Sequence, residues 1–411
     1  MFSLLCRLAS HDLNSENIQS ELNVLTVQQW EALSIAAFQH GLGPLLYQRL
    51  NRAGALELLP PVVFDKLRQG FLVNTARNLI YQRQTAQLLQ ALSEQGIPAI
   101  ALKGIYLVEH IYEDISLRVM SDVDIMVKKE HVARAIAAMQ KLGYQTSTYF
   151  DAQDSNRDVK HVPPMIKGGS IYLEIHYALL EEARPFNIDI PGLWERAVPA
   201  KIGGVDALAL SLEDLILHLC IHMTYQHRFN MGLRGLVDVL EVLRHYEGQV
   251  DWDVLHQRAE AWGAGRVVAV SLSLLHKLLG AWVPAWVEGE LQADPEHTHM
   301  MEVGFGILRD PHQGELPVTP DLASFSSTRG LIGKAAVVLK RIFLPRMTMA
   351  RIYDIPPKSW KLPFYYPVRF YDLMRSYRGT GWQLLKGESK ALVQAGQELE
   401  AGRFTEWLTG K

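Results

Sequence analysis

Two aspartates, Asp122 and Asp124, sit two residues apart inside an apolar, β-branched run from Val119 to Val127. In a strand, residues i and i+2 share a face. Both carboxylates then point one way, while Val123 and Ile125 point into a core. Asp is depleted in strands, so local propensity does not explain the pair. Two like charges this close repel, and one tends to hold a proton. A divalent cation removes that conflict. Carboxylate pairs of this kind hold Mg²⁺ together with substrate phosphates. The plainer reading is a strand end carrying two solvated acids.

The flanking segments bear on that choice. Gly96 to Gly104 reads as a short buried strand ending in Lys103-Gly104, and Ile105 to Tyr112 has apolar residues at helical spacing. A strand, a glycine and a helix N-terminus make an anion site, because free backbone N–H groups point outward there and the dipole is positive. Gly104 lets the backbone approach a phosphate closely. Lys103 can supply a point charge and Arg118 a bidentate one. A solvated lysine and a surface ion pair are the corresponding plain readings. A helix from Glu130 to Leu142, closed by Gly143, follows the aspartate strand. Then Ser170 to Leu179 alternates as another strand, with Glu174 and His176 on one face.

Taken in order, Leu102-Lys103-Gly104, Arg118, Asp122 to Val127, and Glu174-Ile175-His176 through Leu179 resemble a known family. It is the uncharacterised bacterial nucleotidyltransferase family of the DNA-polymerase-β-like nucleotidyltransferase superfamily. The resemblance continues more weakly through Leu210 to Asp214 and Leu233 to Asp238. It implies an α+β fold: a small polymerase-β-like mixed sheet flanked by helices, with additional helical N- and C-terminal regions. It implies that Asp122, Asp124 and Glu174 are both the catalytic and the metal-binding residues. The nucleotide-binding set is then Lys103, Gly104, Arg118, Ser121 and His176. The implied cofactor is Mg²⁺, with Mn²⁺ as a substitute. Two such ions about 3.5–4 Å apart clamp the attacking and leaving oxygens of an in-line displacement. Little covalent chemistry is left for the protein, so positioning and charge neutralisation dominate. In the wider superfamily a Gly-Ser follows the first strand. Here Lys103-Gly104-Ile105 stands in its place, so no serine hydroxyl follows the glycine.

The expected reaction is Mg²⁺-dependent transfer of a nucleoside monophosphate from an NTP to an acceptor. The acceptor class is open: a small molecule, a protein side chain or an RNA end. The alternative is a catalytically inactive core serving as a binding module in a biosynthetic pathway. The two differ at the acids, since an enzyme needs Asp122, Asp124 and Glu174 to converge on one cleft opposite Gly104.

At 411 residues the chain has room for two or three domains, and its net charge of −3 argues neither for nor against a nucleic-acid partner. Cys6 and Cys220 suggest neither a disulfide scaffold nor a zinc site. Met1 to Ser10 lacks a signal-peptide layout. The longest apolar stretch, Val267 to Val287, is interrupted by His276, Lys277 and Pro284. It reads as a buried helix, so no stable membrane insertion and a cytoplasmic location are expected.

The expected organisation is a helical region over 1–95, a catalytic core over 96–205, a helical domain over 206–300 and a C-terminal region over 301–411. Thr26 to His40 and Pro61 to Gln95 read as helices, with Gly96 a stop. Gly203-Gly204 marks a turn, and Ser211 is placed to cap a helix with Asp214 at the capping-box position. His218 and His222 share a helical face, with His227 nearby. They suit packing or cleft lining better than metal ligation. Arg234 and Asp238 also share a face and suggest a buried ion pair joining the helices to the core, or else a nucleotide contact. Asp310 to Ser327 reads as a linker. Lys334 to Arg378 is basic and aromatic: a solvated helical cap, or a surface for an anionic partner. Arg351, ahead of Pro356-Pro357, is expected to lie near the cleft.

Overall fold

A computed structural model describes residues 1–10, 16–146, 160–168, 171–180, 185–292 and 294–311, then selected positions between 339 and 372 and residues 389–410. The described residues up to 311 form one compact unit, and those from 339 onward belong to a second.

The first unit opens with five helices: α1 (Phe2–Ala9), α2 (Glu16–Asn23), α3 (Val27–Gln39), α4 (Gly43–Arg52) and α5 (Pro61–Ser93). Thr26 starts α3 with a reciprocal cap. Its hydroxyl accepts from the Gln29 N–H, and the Gln29 side chain accepts from the Thr26 N–H. Pro61 opens α5, and Gly96 turns the chain just past its end with φ of +63°.

One face of α5 carries polar side chains that clamp a loop. The Asn74 amide donates to the carbonyls of Ser116 and Arg118, at 2.7 and 3.1 Å. The Asn78 amide donates to those of Ile115 and Arg118, at 2.6 and 2.8 Å. Tyr81 donates its hydroxyl to the Ser121 carbonyl at 2.8 Å. These residues recur at i, i+4 and i+7, on one helical stripe. They thereby fix the segment that delivers Asp122 and Asp124.

The sheet has seven strands in the order β3-β4-β5-β2-β1-β7-β6. They are β1 (Ile100–Ala101), β2 (Val123–Met126), β3 (Gln145–Thr146), β4 (Met165–Lys167), β5 (Ile171–His176), β6 (Val198–Ile202) and β7 (Val205–Ala209). β2 lies at the centre and is buried along its whole length, which explains its continuous Val, Ile and Met content. It runs parallel to β5 and antiparallel to β1. β1 is parallel to β7, and β6 and β7 form a hairpin turned by Gly203 and Gly204, both at positive φ. The fold is therefore α+β with a mixed sheet, as expected. The aspartate strand is shorter than expected, since Asp122 precedes β2.

Helices α6 (Lys103–Tyr106), α7 (Val132–Lys141) and α8 (Ile190–Glu195) lie between strands. Leu107–Ile111 continues α6 as a π-helical turn. After the sheet come α9 (Leu212–Ile221), α10 (Arg234–His245), α11 (Trp252–Ala261), α12 (Gly265–Leu279), α13 (Trp286–Gln292) and α14 (His297–Arg309). His222–Gln226 continues α9 as a second π-helical turn. Much of Val267 to Val287 is the buried helix α12, and no described helix is long and apolar enough to cross a membrane.

Two expected contacts are made differently. Ser211 stands at the N-cap of α9, but its side chain makes no capping bond. Its hydroxyl donates to Asp214 instead, at 2.9 Å. Asp214 is buried and receives Arg196 and Arg258, at 2.9 and 2.8 Å, so its carboxylate serves as an anchor for two cations. Likewise Asp238 is paired with Arg118 rather than with Arg234. Arg118 makes a two-pronged contact, Nε to Oδ1 at 2.7 Å and Nη2 to Oδ2 at 2.8 Å. Tyr112 donates to the same Oδ1 at 2.8 Å. Arg234 reaches the Val119 carbonyl at 3.2 Å. Both contacts tie α10 to the segment leading into β2, which is the joining role expected of Arg234 and Asp238.

In the second unit, Met349 and Leu362 are buried among Leu344, Tyr353, Tyr365 and Tyr366. Helix α15 (Ser389–Leu408) stacks Phe404 on Trp407. Trp360, Phe364 and Tyr371 are exposed, so the aromatics of this region divide between core and surface. Of its basic residues, Arg346, Lys361 and Arg369 are described. Lys334, Lys340, Arg341, Arg351, Lys358, Arg375 and Arg378 lie outside the described residues, as does the expected linker beyond residue 311.

The buried Arg118–Asp238 pair generates the first expected outcome. Asp238→Ala strands a guanidinium in the interior, and losing one partner of such a pair costs about 3–5 kcal/mol. Urea unfolding should show that loss. The double change Arg118→Met with Asp238→Leu should recover most of it.

Candidate active site

The parallel register of β2 and β5 sets Asp124 directly beside Glu174, and Met126 beside His176. Glu174 and His176 are two apart on β5 and point the same way. The three side chains converge. His176 Nε2 lies 2.8 Å from Asp124 Oδ1 and 3.3 Å from Glu174 Oε2. One donor atom from each of Asp124, Glu174 and His176 lies within 4.8 Å of the others.

Asp124 is buried, and its charge has two partners besides the sheet. Lys103, the first residue of α6, brings its Nζ to 3.2 Å from Oδ2. His176 serves Oδ1. Burial alone would raise the Asp124 carboxyl, but Lys103 and His176 hold it well below the usual range. Glu174 is likewise opposed by burial and by Asp124, yet its bond with His176 holds it below normal. Asp122 goes the other way. Burial and the charge on Asp124 push its carboxyl up, against Lys103 and a 3.1 Å bond from the Ser121 hydroxyl. Asp122 stands outside the tight group of three but within its electrostatic reach.

The nucleotide-binding candidates are spread over different tasks. Lys103 is buried and committed to Asp124 and His222, the latter at 2.9 Å from its Nζ to Nε2. The Arg118 fork is filled by Asp238. Gly104 is buried, and a side chain there would meet Met120 Sδ at 3.3 Å and Arg118 Nη1 at 3.5 Å. Its small size is thus used for packing against these two residues. Ser121 is exposed.

Histidines surround the carboxylates. His161 pairs with the end of β5 opposite His176, with ring centroids 5.0 Å apart. Its Nε2 lies 3.7 Å from Glu174 Oε2, and its Nδ1–H donates to the Val162 carbonyl at 2.7 Å. Nothing in the sequence around His161 marked it, because it lies outside every strand motif. On the other side, His222 accepts from Lys103, and His227 Nε2 lies 3.1 Å from His222 Nε2. The i, i+4 spacing of His218 and His222 did foreshadow a shared face, and their rings are 5.9 Å apart. Among the described residues these three histidines form no three-ligand metal group. They line the flank of Lys103 instead.

Such a centre can gather a cation and, through it, a polyanion. The chain belongs to a family described as uncharacterised nucleotidyltransferases, which matches residues 26–280, well over half of the sequence. No curated protein matches it. Among solved structures, the chain is similar to the solution structure of the antibiotic-resistance factor ANT(2'')-Ia. The identity is 14%, covering 54% of this chain and 99% of that one, with a TM-score of 0.27. That likeness is too slight to carry an argument about the site.

The buried histidines make stability pH-dependent. Burial and the charge of Lys103 hold His218 and His222 well below 6.5, and hold His227 at about 4. The folded protein keeps these rings neutral, while the unfolded chain protonates them near their ordinary value of about 6.5. Between those values the unfolded state binds more protons, so stability rises with pH. It is fully present above about 6.5 and is lost as pH falls toward about 4. Urea midpoints from pH 7 down to 4.5 should fall accordingly. His218→Phe, which removes one such ring, should flatten the slope.

Proposed function

We propose that the protein moves a nucleoside monophosphate from an NTP to an acceptor hydroxyl or phosphate, with divalent ions held by Asp124, Glu174 and Asp122. The observation that carries this reading is the in-register adjacency of Asp124 and Glu174 on β2 and β5, with Asp122 at the strand's entry. The donor set fits a divalent cation. Asp124 and Glu174 offer oxygens within 4.8 Å of each other, and beside them burial and the charge on Asp124 push the Asp122 carboxyl upward, a conflict that a cation would relieve. Mg²⁺ is the expected ion and Mn²⁺ the substitute. When bound, such an ion offsets the charge of the triphosphate and favours the ionised acceptor.

The protein's own residues then have separate tasks. For a hydroxyl acceptor, its oxygen forms a bond to the α-phosphorus, the bond to the β-phosphate oxygen breaks, and pyrophosphate leaves. Glu174 receives the hydroxyl proton. Lys103 and His176 hold Asp124 ionised and in place, so that the carboxylate needs no rearrangement when substrate arrives. The acceptor is a small molecule, a protein side chain or an RNA end. An RNA acceptor would show a log–log fall in affinity with salt, whereas a small molecule would show a shallower dependence.

The test is a screen of the four NTPs with Mg²⁺ or Mn²⁺, reading pyrophosphate release and mass shifts on the protein and candidate acceptors. Glu174→Gln keeps the shape and should abolish transfer while the melting curve stays near wild type. Asp122→Asn should weaken divalent-ion binding in calorimetry and abolish transfer. It should also raise the stability of the metal-free protein, because it removes a carboxylate whose charge the fold disfavours. Unchanged metal binding in Asp122→Asn would move the site elsewhere. Full transfer activity in both variants would put the active centre elsewhere, and no transfer with any NTP would leave a binding module in a biosynthetic pathway as the function.

A further inference from the structure

We propose that the metal centre uses nitrogen as well as oxygen: His176, with His161 beside it, is a direct ligand, and the site prefers a first-row transition ion over Mg²⁺. This rests on the metal-dependent reading above and departs from its all-carboxylate ligand set.

The geometry around Nε2 of His176 is the first support. That one atom faces two carboxylates, at 2.8 Å from Asp124 and 3.3 Å from Glu174. His176 and Asp124 are both buried, so the contact is not a passing surface encounter. Lys103 covers Oδ2 of Asp124, which leaves Oδ1, on the His176 side, as the oxygen available to an ion. An ion entering there takes the place of the proton that His176 donates to Asp124. Ligation needs the Nε2 lone pair, so that proton moves to Nδ1 or to solvent.

His161 supplies the second support, independent of the first. A carbonyl oxygen only accepts, so its bond with Val162 requires the proton on Nδ1. In the neutral ring, Nε2 then carries a lone pair. That lone pair lies 3.7 Å from the Glu174 oxygen. Two acceptors facing each other across such a gap repel, unless a proton or a cation lies between them. A ring that donates one N–H to a backbone carbonyl and offers its other nitrogen outward has the arrangement usual for a metal-bound imidazole. Two imidazoles and two carboxylates make a mixed nitrogen–oxygen set. Mg²⁺ favours oxygen and sheds its water reluctantly, whereas imidazole suits the transition ions. Mn²⁺ is the weakest binder among those ions, so a preference for Mn²⁺ over Mg²⁺ is the strictest form of the claim.

The experiment uses the full-length chain, stripped of metal and loaded with Mn²⁺. Pulsed electron paramagnetic resonance reads whether ¹⁴N is bound to the ion. Titration of the free Mn²⁺ signal, with Mg²⁺ in competition, reads the two affinities. The expected result is ¹⁴N modulation in the wild type and binding of Mn²⁺ at least about tenfold tighter than Mg²⁺. His176→Gln should lose most of the modulation and about 10–100-fold in Mn²⁺ affinity, the scale of losses at metal sites. Mg²⁺ affinity should change far less. His161→Gln should reduce the modulation further.

Wild-type protein without ¹⁴N modulation overturns the proposal. So does modulation that survives His176→Gln and disappears in His256→Gln, because His256, Glu260 and Glu290 form a second three-ligand group between α11 and α13. Should His176→Gln not fold, the wild-type and His256→Gln spectra decide by themselves. Failure here is separable from failure of the proposed function. Nucleotide transfer with Mg²⁺ and no ¹⁴N signal sinks the ligand assignment alone. A ¹⁴N signal without transfer to any acceptor sinks the activity alone.

Discussion

A carboxylate buried at the centre of a sheet is the constraint from which the rest of this structure follows. Asp124 sits on the innermost strand with almost no exposure to water. Burying an isolated charge is prohibitive, so an ionised Asp124 requires compensation from every side. Lys103 answers from the turn after β1, and His176 answers from β5. Lys103 is itself buried, and its ammonium needs acceptors beyond one carboxylate. His222, on the π-helical turn after α9, provides one. The sheet and the following helical layer are thus joined by a polar chain running through the site, in addition to apolar packing.

A second constraint holds the strand's entry. The segment 115–121 has little regular structure, yet its carbonyls at 115, 116, 118, 120 and 121 are taken by side chains of α5. Arg118 and Arg234 fasten the same segment to α10. Burial alone would lower the Arg118 guanidinium, but Asp238 and Tyr112 raise it above normal, so its charge is secure. An irregular segment anchored this way presents Asp122 and Ser121 from a firm base, which a site built on positioning requires.

Much of this was legible beforehand, and the remainder was hidden for identifiable reasons. Period-two alternation placed Glu174 and His176 on one face of a strand, and the apolar run around Asp124 marked a buried strand. The helix starting near Thr26 and the turn at Gly203-Gly204 follow local rules and are both present. What sequence could not supply was the partner of each charge. Basic residues near a glycine suggest an anion, which makes phosphate ligands of Lys103 and Arg118 in a reading of sequence alone. Lys103 instead pairs with Asp124 of the same motif and with His222, and Arg118 pairs with Asp238; His222 and Asp238 are 119 and 120 residues away, where no local pattern links them. The cap at Ser211 failed for a similar reason: two distant arginines claimed Asp214. His161 escaped notice because its role depends on a bridge to β5 across a long connection.

The two π-helical turns have a consequence for how the site is spelled along the chain. An ordinary helix advances about 100° per residue, so residues five apart diverge by roughly 140°. The wider turn at His222–Gln226 instead brings His227 back over His222, and the His227 N–H bonds to the His222 carbonyl at 3.1 Å. A residue gained in one turn is a change of frame: everything before it keeps one phase and everything after it is rotated. The histidine beside Lys103 is therefore paired in fives where its upstream neighbour is paired in fours. Such a turn lets a helix carry two faces to one place, and its signature in a sequence is a slipped count rather than an unusual residue.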